Sequence, residues 1–196
     1  MLEFRRCQKS DEMGLNVKID LKNVYKIVLE DRQQQVSVFD TILTSGQKVR
    51  LGVQIAHTPH PLISNVYNLV FGPIKANGTI DDKAKLSHQD RSKVFSTVLL
   101  EAMAYLKEHP NDCVGFDGSN NARAYLYYRC IQNNFGYLND IFNMTGINYY
   151  IRMLREGEDG TCDLDTEDII TKYKVIEAAG TTKPEKLYNY FIFNLK

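Results

Sequence analysis

The sequence has no tryptophan, only five prolines and no excess of either charge, 24 lysines and arginines standing against 24 aspartates and glutamates. Neutrality argues against a broad basic surface that would grip phosphates, so nucleic acid is not an expected partner. No apolar run reaches the length of a membrane-spanning helix, and the opening residues lack a charged-then-apolar leader pattern. No membrane association is therefore expected, and the expected location is the cytoplasm. The four cysteines, Cys7, Cys113, Cys130 and Cys162, include no CxxC pair, and no histidine stands where it would complete a zinc pattern. They read as reduced thiols, with Cys113 and Cys130 in packing roles, and no metal site is expected. Internal repeats and low-complexity stretches are also lacking.

What the chain does have is an ordinary globular composition, 43% apolar and 24% charged over 196 residues, with twelve tyrosines and nine phenylalanines. That suffices for one domain with a real core. Residues 1–20 are polar and without period and read as a loosely attached arm; residues 21–31 fit helix or strand. The expected division is 1–34 as arm and first element, and 35–196 as a single domain with a C-terminal extension.

From Gln35 the pattern sharpens. Residues 35–43 alternate loosely, Thr44-Ser45-Gly46 marks a turn, and Val49, Leu51, Val53 and Ile55 alternate with polar residues or glycine. This is a hairpin with one buried face. Prolines 59 and 61 predict a break over residues 57–61. Residues 65–72 predict a third strand, and 72–86 a polar loop. Ser87 is expected to cap a helix, with Asp90 at the capping-box position and an apolar stripe of Val94, Val98, Leu99, Ala102, Met103 and Leu106. Residues 113–116 read as a strand buried on both faces. A second helix runs to Asn133, capped by Ser119 or Asn120. Strands are expected over 137–144 and 148–154, hinged at Thr145-Gly146. A charged loop over 155–165 precedes a helix over 166–179 with Gly180 as its C-cap, and a last strand spans 187–195. The fold class is mixed α/β, with helices packed on a single sheet.

Two motifs in this order resemble a known family. Asn121-Ala-Arg-Ala124-Tyr-Leu-Tyr-Tyr128 is similar to the Asn-x-x-Ala-x-x-x-Tyr pattern of the GNAT N-acetyltransferases, and Arg91-Ser-Lys-Val94-Phe-Ser96 aligns with their Arg/Gln-x-x-Gly-x-Gly/Ala loop. The resemblance covers residues 35–155 and implies a β-β-β-α-β-α-β-β core. It implies acetyl-CoA as cofactor, with Arg91, Ser92 and Ser96 as cofactor-binding residues and Tyr128 as the acid that protonates the leaving thiolate. Val94 departs from the pattern, because a glycine there lets backbone N–H groups approach the pyrophosphate at a helix N-terminus. Residues 65–72 and 118–127 also resemble a small uncharacterised bacterial family.

The residues themselves offer a further site. The turn Gly118-Ser119-Asn120-Asn121, followed by Arg123 and Arg129, combines N–H groups, a helix dipole and guanidinium groups, which favours a phosphate or carboxylate. The plain alternative is an ordinary N-cap with solvent-facing arginines. Asp117, at a strand end before this turn, is a catalytic or hydrogen-bonding candidate. His57 and His60 flank Pro59 without a nearby acid and read as an exposed loop. Asp81-Asp82 and residues 156–168 read as solvated acidic loops. The functional expectation is a module for a small anionic ligand or a protein partner without standard acetyl transfer; the alternative is an acyl-CoA-dependent N-acyltransferase.

Overall fold

Alternating apolar side chains build the first half of the sheet. The computed structural model describes residues 16–118, 121–153, 164–178 and 188–196. Strands β1 (Ile27–Asp31), β2 (Val36–Ile42), β3 (Lys48–Pro59) and β4 (Val66–Pro73) pair antiparallel in sequence order. The β2–β3 hairpin has the expected register, Val36 opposite Gln54 and Ile42 opposite Lys48, and turns at Gly46 with φ +85°. Leu51, Val53 and Ile55 point into the core together with the fully buried Phe39. A side chain of that size contributes about 2 kcal/mol when removed from water.

After β4 the chain crosses over through helix α1 (Arg91–Glu108) and returns as β5 (Cys113–Asp117), parallel to β4. Helices α2 (Asn121–Asn133) and α3 (Phe135–Asn139) follow, then β6 (Phe142–Met153), β7 (Leu164–Val175) and β8 (Tyr190–Leu195). The eight strands form one sheet in the order β1-β2-β3-β4-β5-β8-β6-β7, antiparallel everywhere except at β4–β5. The main core lies between one sheet face and the three helices; Val114, Phe116, Phe191 and Phe193 supply the sheet side. The alternate residues of those strands, Cys113, Tyr190 and Ile192, face the other way and form a smaller cluster with Ile63 and Val66. Among the described residues no helix is long and apolar enough to cross a membrane. The fold is mixed α+β, which agrees with the expected mixed class, and it is strand-rich.

Several local expectations change. Helix α1 is capped by Asp90 itself, whose side chain accepts the Lys93 N–H at 2.8 Å; Ser87 lies upstream of the helix. The expected stripe holds, with Val94, Val98, Leu99, Ala102 and Leu106 buried. β3 runs on to Pro59, through an irregularity between Ile55 and Pro59 that absorbs the unmatched residues. The expected hinge at Gly146 is the interior of the single strand β6, and Tyr137 belongs to α3. Glycine is required at 146 because a Cβ there would run into the Tyr188 ring. The helix expected over 166–179 is strand β7 as far as Val175, its Thr171 opposite Tyr149. Ile-Ile-Thr-Lys-Tyr-Lys-Val is β-branched and aromatic, and pairing with β6 overrides the weak helical spacing. Gly180 and residues 154–163 lie outside the described residues.

The arm changes most. Residues 1–15 lie outside the described part, but 16–25 are a packed strap. Val17 and Ile19 are buried in the main core. Hydroxyls of α1 accept strap N–H groups, Ser92 from Lys18, Ser96 from Asp20 and Thr97 from Tyr25, each at 2.9 Å. The buried amide of Asn134 accepts from Ile19 N–H at 2.7 Å and donates to the Val17 carbonyl at 2.8 Å.

Candidate functional site

The parallel pair β4–β5 is zipped only at one end. Val66, Tyr67 and Asn68 pair with Cys113, Val114 and Gly115, and there the pairing stops. Beyond it each strand follows its other neighbour: Leu69 to Pro73 stay paired with β3, while Phe116 and Asp117 stay paired with β8. The strand ends therefore separate. On the helix side of the opening lies a cleft of about 630 Å³ between the β4 end, the start of α1 and the first turns of α2.

The cleft walls are largely apolar, and its rim carries the cations Lys85, Arg91 and Arg123 with one acid, Asp82. Phe71 of β4 meets Phe95 of α1 edge-on at 5.8 Å, Phe95 meets Tyr127 of α2 at 6.3 Å, and Tyr127 meets Phe116 of β5 at 6.4 Å. These rings span the divergence. Arg91, Arg123, Lys85 and His88 stand around them. Burial, and then the charge of Arg91, push the His88 pKa down, which keeps its ring neutral at physiological pH. Burial raises the Tyr127 phenol to about 12, so it stays protonated. A half-enclosed cavity with apolar walls and guanidinium groups at its edge suits an anion that carries an apolar arm.

The structure divides the residues singled out from sequence. Arg91 and Arg123 line the cleft. Ser92 and Ser96 are α1 hydroxyls that bind the strap backbone. Val94 is buried in the core, where a glycine would leave a void. Gly118 is a close-packing residue: its N–H donates to the Asn189 carbonyl at 2.9 Å, and a Cβ would come within 2.9 Å of Ala124. Asn121 opens α2, and Ser119 and Asn120 lie outside the described residues. Arg129 is exposed, and six positions along a helix put it on a different face from Arg123. Tyr128 is buried against Tyr188, with ring centroids 6.2 Å apart.

Lys85, His88, Phe71, Phe95 and Tyr127 were missed. One signal was present for Tyr127: it stands four residues after Arg123, on the same helical stripe, while Tyr128 is rotated away. The other residues come from a loop, a strand end and α1, whose approach to α2 no local pattern announces. Asp117 stands at the end of β5, where the charges of Arg123 on the helix side and His60 on the other side both reach it. His60 is not in an exposed loop: it is partly buried and stacked on Tyr149. Among the described residues no group of His, Cys, Asp and Glu is arranged to hold a metal ion.

Among the described residues, one mixed sheet, helices on a single face and a charged cleft at a strand divergence define a mixed α+β protein with a concave candidate site. The chain belongs to DUF6934, a family of unknown function whose model matches residues 21–156. No curated protein and no solved structure matches it.

Proposed function

We propose that this chain is a GNAT-like ligand-binding protein that holds an anion with an apolar arm in the β4–β5 cleft, without standard acetyl transfer. The observation that carries this reading is the divergence after Asn68 and Gly115, with Arg91 and Arg123 beside the aromatic walls it exposes. The element order from β2 to β6, with one parallel pair at the divergence, supports the GNAT-like part of the reading. The N-terminus of α1 argues against the standard reaction. The carboxylate of Asp90 already takes the Lys93 N–H, and Val94 fills the place where a glycine would let the backbone approach a pyrophosphate. A coenzyme A thioester supplies both phosphate charge and an apolar arm and is the ligand to test first.

Acetyl-CoA, free coenzyme A and inorganic pyrophosphate are titrated by calorimetry into the full chain. Acetyl-CoA binds more tightly than pyrophosphate, and Arg91→Ala or Arg123→Ala weakens binding by roughly tenfold, the scale of one charge-assisted contact. No heat and no thermal shift with any of the three ends this reading.

A second reading, an acyl-CoA-dependent N-acyltransferase, draws on one observation: the protonated phenol of Tyr127 lines the cleft. It could protonate a leaving thiolate, the role the resemblance gives to Tyr128. Thiol release from acetyl-CoA in the presence of mixed amines, lost in Tyr127→Phe with binding intact, is the outcome that reading requires.

A further inference from the structure

The sheet face away from the helices carries a second cavity, of about 360 Å³. His60, Tyr149, Tyr190, Asn68, Thr58 and Asp117 supply its polar and aromatic lining. We propose that this cavity binds a small methylated ammonium ion, held by ring faces and the Asp117 carboxylate. The inference does not rest on the reading of the cleft.

The rings are set by a closed chain of contacts. Tyr190 of β8 lies across Gly115 of β5, where a Cβ would collide with its ring, and its hydroxyl donates to Asn68 Oδ1 of β4 at 3.0 Å. It therefore spans the last zipped residue pair of the parallel strands. His60 sits 5.2 Å from the Tyr190 ring and stacks on Tyr149 at 6.1 Å with an interplanar angle of 9°. The Leu62 N–H donates to His60 Nδ1 at 3.2 Å, which leaves the ring proton on Nε2. That nitrogen faces Tyr149 Oη at 3.3 Å and donates to it. Burial lowers the His60 pKa, so the ring is neutral and adds no competing positive charge.

Asp117 supplies the charge. It lies exposed at the end of β5, and its carboxylate makes no hydrogen bond or ion pair with another described residue. Its carboxyl pKa is nonetheless pushed up, first by the protein crowded around it and then by Asp82, against the opposing effect of Arg123 and His60. A carboxylate in that setting is relieved by a cation. No lysine or arginine lines the cavity, so an anion is disfavoured. A divalent metal needs several oxygen ligands, and one carboxylate beside aromatic rings does not provide them. An organic ammonium needs one anion and π faces. The methylated form is favoured over a primary amine because both His60 nitrogens and the Tyr190 hydroxyl are already engaged. Few acceptors remain for ammonium N–H groups, whereas methylated nitrogen requires none.

The test compares choline with 3,3-dimethylbutan-1-ol, its uncharged carbon analogue, by NMR titration of the full chain. Choline shifts resonances of His60, Tyr149 and Tyr190, and the alcohol binds at least about tenfold more weakly, the scale of a desolvated cation–π contact. Asp117→Asn and Tyr149→Ala each weaken choline binding about as much, while Tyr149→Phe, which keeps the ring, retains most of it. Circular dichroism verifies that each variant is folded. Equal binding of the two probes, choline binding unchanged in Asp117→Asn, or no choline-induced shifts at those rings at ~50 mM, beyond any useful affinity, overturns the proposal.

Discussion

The Ser96 hydroxyl accepts the backbone N–H of Asp20 at 2.9 Å, across 76 positions of sequence. A residue that the resemblance assigns to a cofactor is thus a fastener for the strap over α1. Ser96→Ala leaves the Asp20 N–H without its partner and costs about 1 kcal/mol, the usual net value of a hydrogen bond. Asn134→Ala removes an acceptor and a donor in a buried setting and costs about 2–3 kcal/mol. Urea unfolding measures both losses. Limited proteolysis adds a local readout, since cleavage near residue 20 should rise in Asn134→Ala before the rest of the chain is attacked. A variant as stable and as resistant as the parent would mean that the strap contributes nothing to the fold.

Gly146 makes a second test, because the sequence reads it as a hinge and the structure as a contact. At a hinge, Gly146→Ala is nearly neutral. Within β6, against the Tyr188 ring, the added methyl forces strand and ring apart, and overpacking of this kind costs about 1–3 kcal/mol. Thermal melting separates the two cases. Gly46→Ala is the useful comparison: nothing lies near its Cβ position, so its cost comes from the positive φ of +85° alone.

How much of this was legible in the sequence follows from what kind of interaction decides each element. The β2–β3 hairpin and the stripe of α1 were readable because Val49, Leu51, Val53, Ile55 and then Val94, Val98 and Ala102 repeat at the period of their own element. β7 was not, because Thr171 and Tyr173 gain their partners only from Tyr149 and Ile147 of β6, a non-local pairing. The strap was missed for a related reason: Val17 and Ile19 are two isolated apolar residues in a polar run, and their acceptors lie on α1 and at Asn134. At the candidate sites, Arg123 and Asp117 were picked out by their position beside a helix start and at a strand end, and Arg91 by the GNAT resemblance. His60, Tyr149 and Tyr190 come from three separate elements, and the zipped end of β4–β5 is what brings them together.

The two described cysteines differ in reactivity for a physical reason. Cys130 is buried in the core, and burial raises its thiol to about 12 from an ordinary 9.0. Thiolate is the reactive form, so that shift alone slows alkylation by about a thousandfold at neutral pH. Cys113 is only partly buried, and its thiol is raised less. In a chain with Cys7, Cys113 and Cys162 replaced by alanine, Cys130 should react with a colorimetric disulfide reagent through the small population of opened molecules. Adding urea below the midpoint should accelerate it in step with the open population. Immediate reaction in native buffer would contradict the buried placement.

Glu101 gives the fold a pH signature. Its carboxylate lies between α1 and β2 and accepts the Ser37 hydroxyl at 2.5 Å. Burial pushes its pKa above the ordinary 4.5; the Ser37 bond opposes this and the charge of Glu30 adds to it. The native state thus holds this proton more tightly than the unfolded chain does. Stability attributable to Glu101 is therefore greatest below 4.5 and falls as pH rises from there through the raised native value. Glu101→Gln keeps an acceptor for Ser37 and removes the ionisation. The variant should match the parent in the acid range, exceed it in melting temperature at neutral pH, and show a flatter stability profile between. Ser37→Ala works in the opposite direction: it removes the group that lowers the pKa, so the fall with pH extends to higher values. Melting curves of the three proteins between pH about 4 and 8, where other carboxylates change little in the upper half of the range, measure the slope. A parent whose stability rises across that window relative to Glu101→Gln would reverse the sign and show that the hydrogen bond, not desolvation, governs this acid.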